Sequence, residues 1–181
     1  DSDDAWLGSV ARFRDNWTLS ALGAMTPTPD WAGRGVGGGR FVGRKVTRVP
    51  LAGPSVTLVR DTLVNGARRI VLRVLAPSGA SAVLMRASGA PVSSASLDGR
   101  VVDTTRYRYP SRDWTMGYSA VPDTGAIVAL SIPSGAKIDF EVTSRTPGLP
   151  AIPGVVIPAR PSGVVPVQTG DASYVYRRVT F

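Results

Sequence analysis

The stretch "AIVALSIPSGAKIDFEVTSR", residues 126 to 145, decides the fold class of this chain. Successive side chains of a β-strand point to opposite faces. In the second half of the stretch, Ile138, Phe140 and Val142 therefore point one way, while the polar residues between them point the other. The first half shows the same two-residue period, and "PSGA" between the halves is typical of a turn. The stretch predicts two half-buried strands joined by a proline-glycine turn.

Similar short runs continue in both directions from this stretch, each bounded by Pro, Gly, Asp or Asn. Short strands at this spacing are typical of β-sandwiches and jelly rolls. We therefore predict an all-β fold, an antiparallel jelly-roll-like β-sandwich of about eight strands, with tight turns at Asn65-Gly66 and Asp98-Gly99. The runs cover residues 55–63, 68–77, 81–88, 92–102, 114–121, 126–133, 137–145 and 173–181. The core candidates besides those in 137–145 are Val56, Leu58, Ile70, Leu72, Val74, Val128, Leu130 and Ile132.

The segment before the last run, residues 145–167, is rich in proline. Proline cannot donate to a strand ladder, so this segment is predicted to be an extended crossover on the surface before the last strand. Its apolar side chains are expected to cover the edge of the core rather than face water. They are Leu149, Ile152, Val155, Val156 and Ile157.

The organisation of the chain follows from these patterns. Residues 47–181 are predicted to form the sandwich domain. Residues 1–46 are predicted to be an N-terminal segment packed on it, with a strand and a turn at Asp15-Asn16 followed by a short strand or helical turn. The glycine-rich part, residues 32–46, is interpreted as a loop because glycine loses the most backbone entropy on ordering. The first residues, "DSDDAWLGSV", suggest that the chain is cut from a longer protein.

Composition limits the chemistry. The 181 residues include no cysteine and no histidine, and Glu141 is the only glutamate. A serine-histidine or cysteine-histidine catalytic group is therefore excluded, as is a zinc site with nitrogen or sulfur ligands. We predict that this chain is not an enzyme, and we assign it no catalytic, cofactor-binding or metal-binding residue.

Two matches to chemical motifs have simpler interpretations. Gly33, Gly35 and Gly38 fit G-x-G-x-x-G, but no helix follows them, so a loop is favoured over a dinucleotide site. Ser134 and Lys137 fit S-x-x-K, but they fall in the predicted turn rather than at a helix start.

The net charge of +8 comes mainly from arginines, which are spread over several runs instead of one face or helix. Specific nucleic-acid binding is therefore not predicted. No apolar run reaches the roughly 18 residues of a membrane-spanning helix.

Aromatic residues are the remaining candidates for a ligand or partner surface, because β-sandwiches often present aromatic rings to sugars. The competing interpretation is a buried ring, which is favoured for Trp17 and Trp114. The candidates are Trp31, Tyr107, Tyr109, Trp114 and Tyr118.

Five stretches in order resemble the C-terminal domain of membrane-anchored zinc peptidases of metallopeptidase family twenty-eight, the group that includes the endoplasmic reticulum metallopeptidase. The shared features are a loose Asp-x-Trp-Thr, an arginine-rich strand before Ser-Gly-Ala, and Gly-Leu-Pro with Arg-Pro. The stretches are "AWLGSVARFRDNWTLSALG", "RRIVLRVLAPSGA", "RDWTMGYSAVPDTGAIVALSIPSGAKIDFEVTSRTPGLP", "RPSGV" and "SYVYRRVTF", within residues 5–181.

The resemblance implies a parent protein with a peptidase domain that binds two zinc ions, then membrane helices, then this β-rich domain. None of the family's zinc ligands can be assigned here, since the histidines are absent. The expected function is a non-catalytic accessory domain that supports or gates the peptidase domain, with that domain and the membrane segment as its partners. The arginine-rich composition indicates a bacterium with a GC-rich genome and hence a periplasmic or extracytoplasmic location. The alternative is a carbohydrate- or cell-wall-binding module, with a polysaccharide as partner.

Overall fold

The structure is a computed structural model that describes residues 4–10, 15–33, 41–102, 113–163, 165 and 170–181. Strands dominate it, and the all-β prediction is confirmed. It contains eleven strands and one α-helix in the described residues. In chain order they are β1 (Ala5–Ser9), α1 (Asn16–Leu22), a 3₁₀ turn (Asp30–Gly33), β2 (Val42–Val46), β3 (Ser55–Val64), β4 (Ala67–Leu75), β5 (Ala82–Ser88), β6 (Ser94–Leu97), β7 (Arg100–Val102), β8 (Trp114–Ser119), β9 (Ala126–Pro133), β10 (Asp139–Pro147) and β11 (Ala172–Thr180).

The strands form three antiparallel sheets. A five-stranded sheet has the order β3-β4-β9-β6-β7, a four-stranded sheet has the order β11-β10-β5-β8, and β1 pairs with β2. The chain divides into two compact units. The first contains residues 1–51 and 147–174, and the second contains residues 52–146 and 175–181. The proline-rich segment thus belongs to the same unit as the N-terminal residues, and the domain boundary at residue 46 stays a prediction.

The second unit is the sandwich, and its core comes from alternate residues of the two larger sheets. Ile70 and Leu72 of β4 and Leu130 of β9 are fully buried, as are Met85 of β5 and Phe140 of β10. Burial of each large apolar side chain stabilises the fold by about 1.5–3 kcal/mol before the loss of chain entropy is counted. Nearly all the predicted core residues lie in this cluster.

Leu58 is the exception among those core candidates, because 45% of its surface is exposed. It lies on β3, the edge of the five-stranded sheet, where the core reaches Val56 but leaves Leu58 exposed. A second difference concerns β10, where Glu141 and Thr143 are buried although they alternate with the core residues. The predicted polar face of this strand is therefore not open to solvent at these two positions.

Eleven strands replace the predicted eight for two reasons. The run 92–102 divides into β6 and β7 because Asp98 and Gly99 both have positive φ, which reverses the chain there. In addition, β1 and β2 lie in the N-terminal segment.

The interpretation of residues 32–46 as a loop was wrong for Val42–Val46, which form β2. Gly43 faces Gly8 across the pair β1–β2. A Cβ atom on Gly43 would lie 2.3 Å from the carbonyl oxygen of Leu7. Glycine is thus required here for close approach of the two strands, and the pairing offsets its entropy loss.

The first unit is organised around α1. Asp15 caps the helix, its Oδ1 accepting from the backbone N–H of Thr18 at 2.6 Å. This bond, with that of the Thr18 hydroxyl, holds the pKa of Asp15 below its ordinary value. Trp17 donates from Nε1 to the carbonyl oxygen of Pro158 at 3.0 Å. The proline-rich segment is thereby bound to the helix.

The same segment leaves part of its apolar surface in water. Ile152, Val155 and Ile157 are half-buried and line a shallow depression of about 420 Å³. Leu149 and Val156, in contrast, are 38% and 86% exposed. The expectation that all five apolar side chains are kept from water was wrong for these two, although Leu149 lines the same depression as the three half-buried residues.

Candidate interaction surface

The hairpin β3–β4 presents the longest of the described strands, β3, at a sheet edge. β3 pairs with β4 on one side and is the last strand of its sheet on the other. Every side chain from Thr57 to Val64 is exposed. The unpaired backbone N–H and C=O groups of such an edge are available to another strand.

The side of β3 that faces the core carries unusual apolar exposure. Leu58 is paired with Leu72, and Leu63 with Arg68, in the register of the hairpin. Since Leu72 points into the core, Leu58 lies on the same inner face of the sheet. Leu63, also on this face, is 68% exposed. We call Leu58 and Leu63 the apolar ledge.

A β-bulge at Val59 separates the ledge into two parts. The register shifts between Leu58 and Arg60, so Val59 has no partner on β4. A bulge inverts the alternation of faces that follows it. Arg60 consequently lies on the outer face, although simple alternation would place it on the same face as Leu58.

The inversion brings three arginines together on the outer face. Arg60 is directly opposite Val71, and Arg69 and Arg73 are the outer-face residues on either side of Val71 along β4. Diagonal neighbours of this kind lie roughly 7–8 Å apart, within reach of long side chains. All three are exposed. We call Arg60, Arg69 and Arg73 the arginine face.

The arginine face has no acidic partner among the described residues. Among the described residues, the one hydrogen bond made by these three arginines is donated by Nη1 of Arg73 to the carbonyl oxygen of Thr124, at 3.1 Å. The nearest acid in the hairpin, Asp61, is paired with Ile70 and so lies on the inner face. This arrangement concentrates uncompensated positive charge beside a free strand edge.

Asp61 is itself occupied by Arg68. Its carboxylate accepts from Nε and Nη2 of Arg68, the latter at 2.6 Å, and Arg68 also donates to the carbonyl oxygen of Ala136. The hydrogen bond from Arg68 lowers the pKa of Asp61, and the same bond raises the pKa of Arg68. The pair fixes the tip of the hairpin to the turn between β9 and β10.

The four-stranded sheet holds a second polar group. Arg86 of β5 donates from Nη1 to Glu141 at 2.9 Å and from Nη2 to Asp113. The bond to Asp113, and after it the bond to Glu141, raises the pKa of Arg86. Because Glu141 is buried, the pair has the features of a structural ion pair rather than of an open site.

Three of the five aromatic candidates lie in the described residues. Trp114 is buried in the core, and Trp31 is half-buried in the 3₁₀ turn. Tyr118 is half-buried on β8 and its hydroxyl donates to Asp98 at 3.1 Å, which raises the pKa of Tyr118. Tyr107 and Tyr109 lie outside the described residues. The five as a shared surface stay a prediction.

The two chemical motifs have no site geometry where they can be followed. Ser134 and Lys137 are exposed in the turn between β9 and β10, where the N–H of Ala136 donates to the carbonyl oxygen of Pro133. Gly33 ends the 3₁₀ turn, while Gly35 and Gly38 lie outside the described residues.

Within the described ranges, no three acidic, histidine or cysteine side chains group as metal ligands would, and no helix has the length and apolar character to span a bilayer.

The sequence indicated neither the ledge nor the arginine face. The alternation predicts Leu58 in the core and gives no sign of the bulge at Val59, so the sequence does not predict that arginines of the hairpin share a face. No family model, curated protein or solved structure matches the chain.

Proposed function

We propose that this chain is a non-catalytic accessory domain of a membrane-bound zinc-dependent aminopeptidase, on the extracytoplasmic side of the membrane. The edge strand β3, with its apolar ledge and arginine face, is the observation that supports it best. Proteins that work as free monomers usually protect such edges with short strands, unpaired inward charges or a covering segment. β3 has an inward charge at Asp61, but its carboxylate is neutralised by Arg68 of the same hairpin. A long open edge with exposed leucines is instead typical of a surface that binds another protein.

The zinc ions belong to the peptidase domain of the parent in this proposal. The chain has no histidine or cysteine, so its role toward the peptidase is to support the fold or to control access to the active site. The resemblance of the sequence to family twenty-eight supplies the enzyme class.

A carbohydrate- or cell-wall-binding module is the alternative function. It requires exposed rings that can stack on sugars, and the burial of Trp114 removes one of the five rings from such a platform. The arginine face favours an acidic partner over a neutral sugar. We therefore place the accessory function first.

The reading frame upstream of Asp1 provides the first test. We expect it to encode membrane helices, preceded by a peptidase domain that contains the histidine and acidic ligands of two zinc ions. A signal peptide immediately before Asp1 would contradict the accessory function and favour the sugar-binding alternative.

Deletion of residues 1–181 from the parent provides the second test. We expect either a lower amount of folded enzyme in the membrane or a changed kcat/KM for peptide substrates. Unchanged expression, thermal stability and peptidase kinetics would refute the accessory function.

A further inference from the structure

We propose that the free edge of β3 binds an extended protein segment by strand addition, and that this segment alternates acidic and apolar side chains. The inference rests on the proposed function in that the segment belongs to the peptidase domain or to a protein bound by it. The segment of β3 concerned is Arg60–Val64, which lies beyond the bulge and is in unbroken register with β4.

The length and exposure of this edge suit a strand. Five residues extend over about 17 Å, which is the length of an ordinary strand. All five side chains are exposed, and in the described residues no backbone hydrogen bond from outside the hairpin reaches them. An incoming strand would supply the missing ladder partners.

The two faces of β3 set the pattern of the incoming strand. A side chain opposite Leu63 lies on the inner face and is best apolar, because Leu63 is 68% exposed and belongs to the apolar ledge. Side chains opposite Arg60 and Thr62 lie on the outer face, beside Arg60 and one strand away from Arg69. Opposite charges across neighbouring strands stabilise the pair, so these positions are best acidic.

The backbone requirement distinguishes a protein segment from other acidic partners. A lipid headgroup or a nucleic acid could neutralise the arginine face, but neither has N–H and C=O groups at strand spacing. The inner face also requires an apolar group next to Leu63. A protein strand meets all three requirements at once.

The bulge at Val59 has a competing interpretation, since bulges are one of the devices that protect edges from pairing. Here it interrupts the edge between Leu58 and Arg60 but leaves five residues regular beyond it. It also places Arg60 on the same face as Arg69. The bulge therefore limits the length of the added strand and determines which side chains it prefers.

The test is binding of the 181-residue chain to a short capped peptide of alternating glutamate and valine, followed by fluorescence anisotropy. We expect saturable binding to the wild-type chain. The affinity should fall about tenfold or more in Arg60→Glu, because the new carboxylate repels the acidic peptide. It should fall as much in Leu63→Lys, because this variant places a charge on the inner face of the strand edge. The matched control is Arg100→Glu, which makes the same charge change on β7 at the other edge of the same sheet. It should alter the affinity less than about twofold.

Amide hydrogen exchange distinguishes strand addition from simple attraction. We expect the peptide to increase protection of the amides of residues 60–64, and a peptide of alternating lysine and valine to have no effect. Binding without protection, or equal binding of a glutamate-only peptide, would refute strand addition. Binding to phosphatidylglycerol vesicles that depends on Arg60, with no binding of the peptide, would refute the protein partner in favour of a membrane surface.

The two proposals fail separately. If the peptide does not bind but deletion of the domain still changes the parent peptidase, the accessory function stands and strand addition is wrong. If the peptide binds as expected but the upstream frame encodes no peptidase, the strand site stands and the enzyme assignment is wrong.

Discussion

The guanidinium carbon of Arg160 lies 3.9 Å from the centroid of the Trp17 ring, and the same guanidinium donates from Nη2 to both carboxylate oxygens of Asp171 at 2.6 and 2.7 Å. Trp17 in turn donates to the carbonyl oxygen of Pro158. Three parts of the first unit thus meet at one arginine: helix α1, the proline-rich segment and the residues before β11. The prolines restrict the unfolded chain in advance, and these contacts define where the segment lies.

Replacement of this arginine should loosen the proline-rich segment. We expect Arg160→Ala to destabilise the chain by about 1–2 kcal/mol, from the cation–π contact and a partly exposed ion pair together. The measurement is urea unfolding followed by tryptophan fluorescence, with limited proteolysis of residues 147–163 as a local readout.

Arg160→Lys is the matched variant for this experiment. It keeps the charge but loses the planar stacking and the two-oxygen contact with Asp171. We therefore expect its free energy of unfolding to lie between those of wild type and Arg160→Ala. Equal stability and equal proteolysis rates for all three proteins would contradict a role of Arg160 in holding the segment.

The contact between β1 and β2 gives a second prediction. In Gly43→Ala the new Cβ would lie 2.3 Å from the carbonyl oxygen of Leu7 and 2.8 Å from Cα of Gly8, where backbone cannot move away easily. We expect a loss of about 2 kcal/mol or more, measured by thermal unfolding.

Gly117→Ala on β8 is the control, because a Cβ there meets no atom within 4 Å. We expect its stability to stay within about 0.5 kcal/mol of wild type. Similar losses for the two variants would mean that the effect is the general response of a strand glycine and not the close approach of β1 and β2.

The sandwich was predictable because its strands follow the two-residue period of half-buried β-structure. Ile70, Leu130 and Phe140 are in the core for that reason. Leu58 has the same local pattern but lies at a sheet edge, and position within a sheet depends on strand order, which alternation does not encode. The pairing that makes β2 a strand is likewise a tertiary effect that overrides glycine's local preference.

The candidate surface was less predictable for a related reason. The arginine face depends on one unpaired residue, Val59, which inverts the faces of every residue after it. The aromatic residues, in contrast, attracted attention by type alone. Trp114 shows the weakness of that criterion, since a large apolar ring is equally suited to the core where it lies.

The ion pair between β5 and β10 gives a third prediction. Glu141 is buried and accepts from Arg86 at 2.9 Å. Arg86→Met removes that donor from a buried carboxylate, so we expect destabilisation of about 3 kcal/mol by urea unfolding.

The double variant Arg86→Met with Glu141→Leu is informative here. It removes both charges of this ion pair, and we expect it to be more stable than Arg86→Met alone, because no carboxylate then stays buried at position 141 without its arginine. If the two substitutions instead add their separate losses, the ion pair has no energetic coupling.

Acid should weaken the protein through Asp61 and Asp139. Hydrogen bonds from Arg68 lower the pKa of Asp61, and those from Arg178 and Thr180 lower the pKa of Asp139, in both cases below the ordinary value of 3.8. A carboxyl with a depressed folded-state pKa contributes stability that is complete above its unfolded pKa and is lost as pH falls through its folded pKa. We therefore expect these contributions to be constant above about pH 5 and to decline below 3.8. The measurement is the urea midpoint as a function of pH.

Asp61→Asn and Asp139→Asn should each reduce the decline, while Asp123→Asn, at an exposed turn, should retain it. An identical decline in all three variants would show that other groups cause the acid sensitivity.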